Sequence, residues 1–221
     1  MENIENIKEK THEYLKILNE HWLKISIGIA VIVAVSVPVF LYRQKKNNDF
    51  NEVWSRIWRN NYEIVVAQQE GPEKKTETIE GAINEYTFLK NSLSTTNATP
   101  WLLLELGNTQ YNAKKYDDAI VTYKEFIQRV GNHPLVPIVR QSLGYAYEEN
   151  GQLKEAIDQF EKIVIDTEAT FLKAQAKLDA GRCYEKLGEL SAAVAAYKDV
   201  IDFLPESHCA RMAKYRMEGI K

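Results

Sequence analysis

The side chains of this sequence with chemistry to offer are four histidines, two cysteines and a few paired carboxylates. The histidines are His12, His21, His133 and His208; the cysteines are Cys183 and Cys209. His208-Cys209 with Cys183 as a third ligand is the metal set to test, and Cys183–Cys209 the cross-link. Two cysteines at this spacing match no zinc motif and are too few for a disulfide framework. The repeat set out below puts the equivalent of Cys183 in the next helix at residue 220. Cys209 lies eleven residues earlier, about 16 Å away along a helix axis. A disulfide needs its Cα atoms within about 7 Å, so Cys183 reads as a buried packing residue. Glu148-Glu149 and Asp117-Asp118 read as solvated helix ends rather than acid–base pairs. No phosphate-binding glycine loop, nucleophile elbow or His-Glu-x-x-His pair occurs. Asn97-Ala98-Thr99 has the glycosylation triplet, but Pro100 follows it. The expectation is a protein that is not an enzyme, with no catalytic residue, no cofactor and no metal site.

What remains is an architecture for positioning surfaces. Gly107, Gly144 and Gly181 stand 37 residues apart; so do Tyr116, Leu153 and Leu190, then Ala119, Ala156 and Ala193, then Tyr123, Phe160 and Tyr197. Four columns on one period mean stacked units, each too small to bury its apolar face alone. Small residues at the glycine and alanine columns let two helices approach, and the aromatic is expected to fill the space between successive units. Asn150-Gly151 and Leu187-Gly188 mark tight turns, where glycine takes a left-handed conformation cheaply. Pro134, Pro137 and Pro205 are expected in the links, where a helix must stop. Projected backwards, the period reaches Ala82, Tyr86 and Leu89. That predicts a degenerate first unit with helix A at 50–69, a loop at 70–76 and helix B at 77–93, then a polar link over 94–99. Thr99-Pro100 reads as an N-cap and a first-turn proline. His208–Ile220 is a final helix that closes the stack.

Near the start, Ile25–Tyr42 runs 18 residues without a charge. As a helix it reaches about 27 Å, close to the hydrocarbon thickness of a bilayer. Trp22, Tyr42, Lys24 and Arg43 bracket it as interfacial residues. The run ends without the small-residue site of a cleavable signal. Flanking basic residues do not orient it: Lys8, Lys10, Lys16 and Lys24 precede it, and Arg43, Lys45, Lys46, Arg56 and Arg59 follow. Ile4, Ile7, Thr11, Tyr14 and Leu18 form a narrow stripe, suited to a membrane surface or a partner helix. The formal net charge of −3 argues against nucleic acid as a partner.

The fold class is therefore all-α: one transmembrane helix, then an α-solenoid of helix-turn-helix repeats of period 37. The expected organisation is a polar, amphipathic segment (1–22), a transmembrane helix (23–43), a juxtamembrane helix with the degenerate repeat (44–99), repeats at 100–136, 137–173 and 174–206, and a capping helix (207–221).

The stretches LGNTQYNAKKYDDAIVTY, LGYAYEENGQLKEAIDQF and AGRCYEKLGELSAAVAAY resemble tetratricopeptide (TPR) repeats over residues 100–205. Their period exceeds the common 34 and is similar to that of bacterial envelope proteins such as outer-membrane assembly lipoproteins. The resemblance implies that helix A residues line a concave groove. The candidate partner-binding residues are Leu104, Asn108, Tyr111, Gln141, Tyr145, Glu148, Leu178, Arg182 and Glu185, any of which can instead pack between neighbouring A helices. Leu104 and Gln141 replace the lysines of a carboxylate clamp. Trp54, Trp58 and Trp101 form a second patch or part of the core.

With its span region HWLKISIGIAVIVAVSVPVFLYRQ, the layout resembles the YfgM-type family. That resemblance implies a single-pass protein of the bacterial inner membrane with a periplasmic TPR domain, bound to secretion-channel subunits and chaperones. It would be an adaptor that takes an extended peptide or helix in its groove. The other reading is a structural accessory subunit of a large membrane complex, for example a respiratory one.

Overall fold

The structure is a computed structural model that describes residues 2–93 and 97–220, without the side chains at 2–5, 9, 17 and 18. Ile4 and Leu18 of the amino-terminal stripe, and Ser94–Thr96 of the polar link, fall outside what is described. The described residues form nine α-helices: α1 (Glu2–Glu70), α2 (Pro72–Ser92), α3 (Thr99–Asn112), α4 (Tyr116–Arg129), α5 (Val136–Glu149), α6 (Leu153–Asp166), α7 (Thr170–Leu187), α8 (Leu190–Phe203) and α9 (His208–Gly219). Met1–Asp49 and Phe50–Lys221 are separate units, and α1 contributes to both.

The first unit is helix alone. Its apolar stretch has the length and composition to cross a membrane, and none of it is buried against protein. The Ser26 hydroxyl donates to the Leu23 carbonyl at 2.9 Å. Such a bond satisfies the hydroxyl within its own helix, as an apolar medium requires. Pro38 sits inside the helix, where it removes one backbone donor.

The second unit is built of antiparallel hairpins whose spacing is set by glycine. A Cβ placed on Gly107 would lie 2.4 Å from the Tyr123 ring, on Gly144 2.5 Å from Phe160, and on Gly181 2.6 Å from Tyr197. The aromatic column thus occupies the space inside each hairpin. That corrects the expectation that it lies between successive units, a place taken instead by Leu89, Phe126, Ile163 and Val200. These four stand on the same 37-residue period and are all fully buried. They can reach the next unit because the ring column has already filled the hairpin.

The hairpins α3–α4, α5–α6 and α7–α8 turn in the same way. The amide of residue 114, 151 or 188 donates to the carbonyl of 111, 148 or 185, and the next amide donates to 110, 147 or 184. The paired bonds close the helix end with one residue in the left-handed region. That residue is Gly151 (φ 77°) and Gly188 (φ 78°), but in the first turn it is Lys114 (φ 60°).

The leading hairpin departs from the projected period. The predicted loop over 70–76 is absent: the chain breaks only at Gly71 (φ 122°) and α2 starts at once with Pro72 in its first turn. A glycine at positive φ followed by a proline turns the chain earlier than the period requires. Tyr86 therefore meets Ile57 and Asn61, its hydroxyl within 3.4 Å of the Ile57 carbonyl and of Asn61 Oδ1. Two other local expectations shift. Helix α3 begins at Thr99, with Ala98 at the cap position. Pro137 belongs to the first turn of α5, where its missing amide costs nothing. At the far end α9 is capped by Ser207, whose hydroxyl accepts from the Ala210 amide at 3.0 Å.

Two substitutions test this account by thermal unfolding. Gly144→Ala drives a methyl into the Phe160 ring and is expected to cost about 1–3 kcal/mol. Lys114→Gly removes left-handed strain and is expected to gain about 0.5–1 kcal/mol.

Candidate functional site

Helices α3, α5 and α7 each present three residues of the expected groove at corresponding positions. The first row is largely packing. Leu178 is buried at 6% exposure, and Leu104 packs against the central core. Leu178 is therefore corrected from a groove residue to a core residue, because the shorter side chains around α7 draw it into the cluster formed with Ala174, Ala193, Tyr197 and Cys209.

The other two rows are polar, and they differ from one junction to the next. Between α5 and α7 a closed network forms. Arg182 Nε and Nη2 donate to the two carboxylate oxygens of Glu148 at 2.8 and 2.6 Å. Its Nη1 donates to Asp179 at 2.6 Å, and its guanidinium lies 5.8 Å from the centre of the Tyr145 ring. Tyr145 donates its hydroxyl proton to the other Asp179 oxygen at 2.7 Å; Gln175 Nε2 donates to Asp179 at 3.1 Å. Lys186 completes the set at 2.8 Å from Glu148.

Glu148 is only 7% exposed, so the expected solvated helix end is a buried anion. Burial pushes its carboxyl up, but the bonds from Arg182 and Lys186 outweigh this and hold it below the usual range. Asp179 is fully buried; there desolvation wins over Arg182, Tyr145 and Gln175, and its carboxyl stands above its ordinary value. Sequence reasoning missed Asp179. The available signal was a lone carboxylate between Leu178 and Ala180 on an otherwise buried stretch of α7.

Between α3 and α5 the positions equivalent to Glu148, Asp179 and Arg182 hold Tyr111, Ser142 and Tyr145, and the space stays open. Asn108, Tyr111, Asn112, Tyr123, Ser142 and Tyr145 line a recess of about 280 Å³. Tyr123 donates its hydroxyl proton to Asn108 Oδ1 at 2.8 Å, which fixes that amide with its nitrogen end free to donate. Tyr111 stands edge-on to Tyr116, ring centres 5.5 Å apart. The structure thus brings Asn108, Tyr111 and Tyr145 together, and adds Asn112 and Ser142. Gln141 is half-buried. Glu185 belongs to a third junction, accepting from Tyr197 at 2.7 Å and Arg216 at 3.1 Å.

Of the other expected surfaces, Trp54 and Trp101 pack edge to face at 5.8 Å, while Trp58 is exposed. Both cysteines are buried free thiols. Burial pushes the Cys183 thiol up to about 12, consistent with a packing role.

Removing Arg182 strands two buried carboxylates. Arg182→Met is expected to destabilise by about 3–5 kcal/mol, measured by denaturant unfolding, with much of the loss recovered when Glu148→Gln and Asp179→Asn are added. A small effect of the single substitution would show that the network does not hold the two helices.

Sequence comparison agrees with this geometry. The tetratricopeptide repeat family matches residues 104–171 and, in a second match, residues 175–207. Cellulose synthase operon protein C of Pseudomonas fluorescens (strain SBW25) is 28% identical over 123 residues, covering 53% of this chain and 9% of that protein. A tetratricopeptide repeat protein from Parabacteroides merdae ATCC 43184 superposes with a TM-score of 0.55 at 15% identity, covering 80% of this chain and 60% of the other. The nearly identical TPR-like repeats assigned to a kinesin light chain in Podosopora anserina superpose with a TM-score of 0.57 at 15% identity, over 73% and 84% of the two chains. The chain thus has the fold of a tetratricopeptide-type α-solenoid, with matches to that repeat family over residues 104–171 and 175–207.

Proposed function

We propose that the chain is a membrane-anchored scaffold that holds other proteins in the groove of its solenoid. The observation that carries this reading is the contrast between two equivalent junctions. One is filled by its own Arg182 network, while the other leaves a tyrosine- and asparagine-lined recess in which the Tyr111 hydroxyl and the Asn112 amide have no partner among the described residues. Asn108 and Asn112, one turn apart on α3, suit the backbone of an extended segment. The rings of Tyr111 and Tyr145 suit its side chains.

The anchor in this reading is Ile25–Tyr42, whose exposed apolar side chains match the length of a bilayer core. The likeness to the YfgM-type family supports a periplasmic solenoid at the bacterial inner membrane, working as an adaptor or chaperone-like subunit beside the secretion channel.

The full chain, purified from membranes in mild detergent, is expected to bring secretion-channel subunits or envelope chaperones with it. Tyr111→Ala with Asn112→Ala should lower that yield by roughly tenfold, equivalent to about 1.4 kcal/mol, while leaving the thermal transition within a few degrees. Stoichiometric copurification of redox proteins instead would replace this reading with that of a respiratory accessory subunit. A periplasm-dependent reporter enzyme fused to the carboxy terminus should be active. Activity only of a cytoplasm-dependent reporter would reverse the orientation.

A further inference from the structure

The repeats serve as controls for one another, and one position breaks their pattern on the face formed by α6, α7 and α8. In the first two repeats the positions equivalent to residue 180 of α7 carry Leu106 and Leu143, at 1% and 2% exposure. The third repeat has Ala180 there. Beside it, the position of Thr122 and Gln159, both buried polar residues, becomes Ala196. Two side chains that close the surface at the previous junction are therefore cut back to methyl groups at this one. The result is a groove of about 310 Å³ lined by Glu161, Val164, Ile165, Lys177, Ala180, Tyr184, Ala196 and Asp199. Its lining comes largely from the B helices, so it is distinct from the recess between α3 and α5.

The chemistry of the rim selects an occupant. Ile165 stands at the edge with 76% of its surface exposed, an apolar wall without a cover. Of the three charged groups, Lys177 is engaged by Asp199, and its ammonium lies 5.5 Å from the centre of the Phe203 ring. Glu161 is different: it accepts the Tyr184 hydroxyl proton at 3.1 Å, and no basic side chain pairs with it among the described residues. The groove therefore has an apolar floor and one unbalanced negative charge.

We propose that this groove is a second docking site, independent of the concave recess. It takes an amphipathic helix of another protein, with a leucine-sized side chain seated on Ala180 and Ala196 and a lysine or arginine beside it on Glu161. An apolar anchor in a pocket with a charge at its rim is the usual economy of such helix-in-groove contacts.

The test uses the full chain in zwitterionic nanodiscs and a fluorescent amphipathic peptide that carries one leucine flanked by lysines. Binding is read by anisotropy. Replacing the peptide leucine by alanine, or its lysines by glutamates, should weaken binding by roughly tenfold or more. Ala180→Leu with Ala196→Gln, which restores the residues of the preceding repeat, should weaken it likewise. So should Glu161→Gln and Ile165→Ser, both at exposed positions that leave the fold intact. Tyr111→Ala should have no effect. Unchanged binding to the filled-groove variant would overturn the proposal. So would loss of binding on Tyr111→Ala, which would place the peptide in the concave recess, or self-association of the chain that Ala180→Leu abolishes.

Discussion

An aromatic ring resting on bare glycine backbone is the contact on which the solenoid depends. At Gly107, Gly144 and Gly181 the ring comes closer than any side chain on the facing helix would allow, and so fixes how near the two helices of a hairpin lie. Once that distance is set, the alanine column at 119, 156 and 193 can be fully buried, and the column ending in Val200 can reach across to the following unit. Each unit then touches mainly its neighbours, and its stability is the sum of one internal contact and one interface. The chain repeats the same small calculation rather than organising a single large core.

On that uniform frame the electrostatics are not uniform. The α5–α7 junction commits two carboxylates, a guanidinium, an ammonium and a phenol to one another, and its surface is used up in holding the repeats together. The α3–α5 junction keeps the same backbone and has Tyr111, Ser142 and Tyr145 where the other has Glu148, Asp179 and Arg182. The difference between a structural junction and an available one thus lies in a few side chains at equivalent positions, with no change of fold.

How much of this was legible depended on whether the signal was local or crossed between helices. The hairpins, their turns and the buried columns follow from spacing, because a period of 37 repeated at four residue types leaves little freedom. The period places the turn of the first hairpin too late, since Gly71-Pro72 overrides a projection from equal units. Lys114 was invisible as a left-handed residue because nothing in its side chain announces that conformation; only its place in the column of Gly151 and Gly188 does. The burial of Glu148 is hidden for a different reason: its cation, Arg182, lies 34 residues away, and the neighbouring Glu149 gives the pair the look of a solvated end. Leu178 sits on the expected row, but the small residues of α7 admit it to the core.

The network around Arg182 has a further consequence for the history open to such an array. Repeats that share their interfaces can be duplicated, lost or reordered by recombination at little cost, and most of the columns here would tolerate it. The unit that carries Glu148 would not. Copied in tandem, it would present Tyr145 where Arg182 now stands, and seat a carboxylate in a dry junction without its counter-charge. The order of the second and third units is thereby locked, as a word is by its spelling, although every letter is cast from one mould.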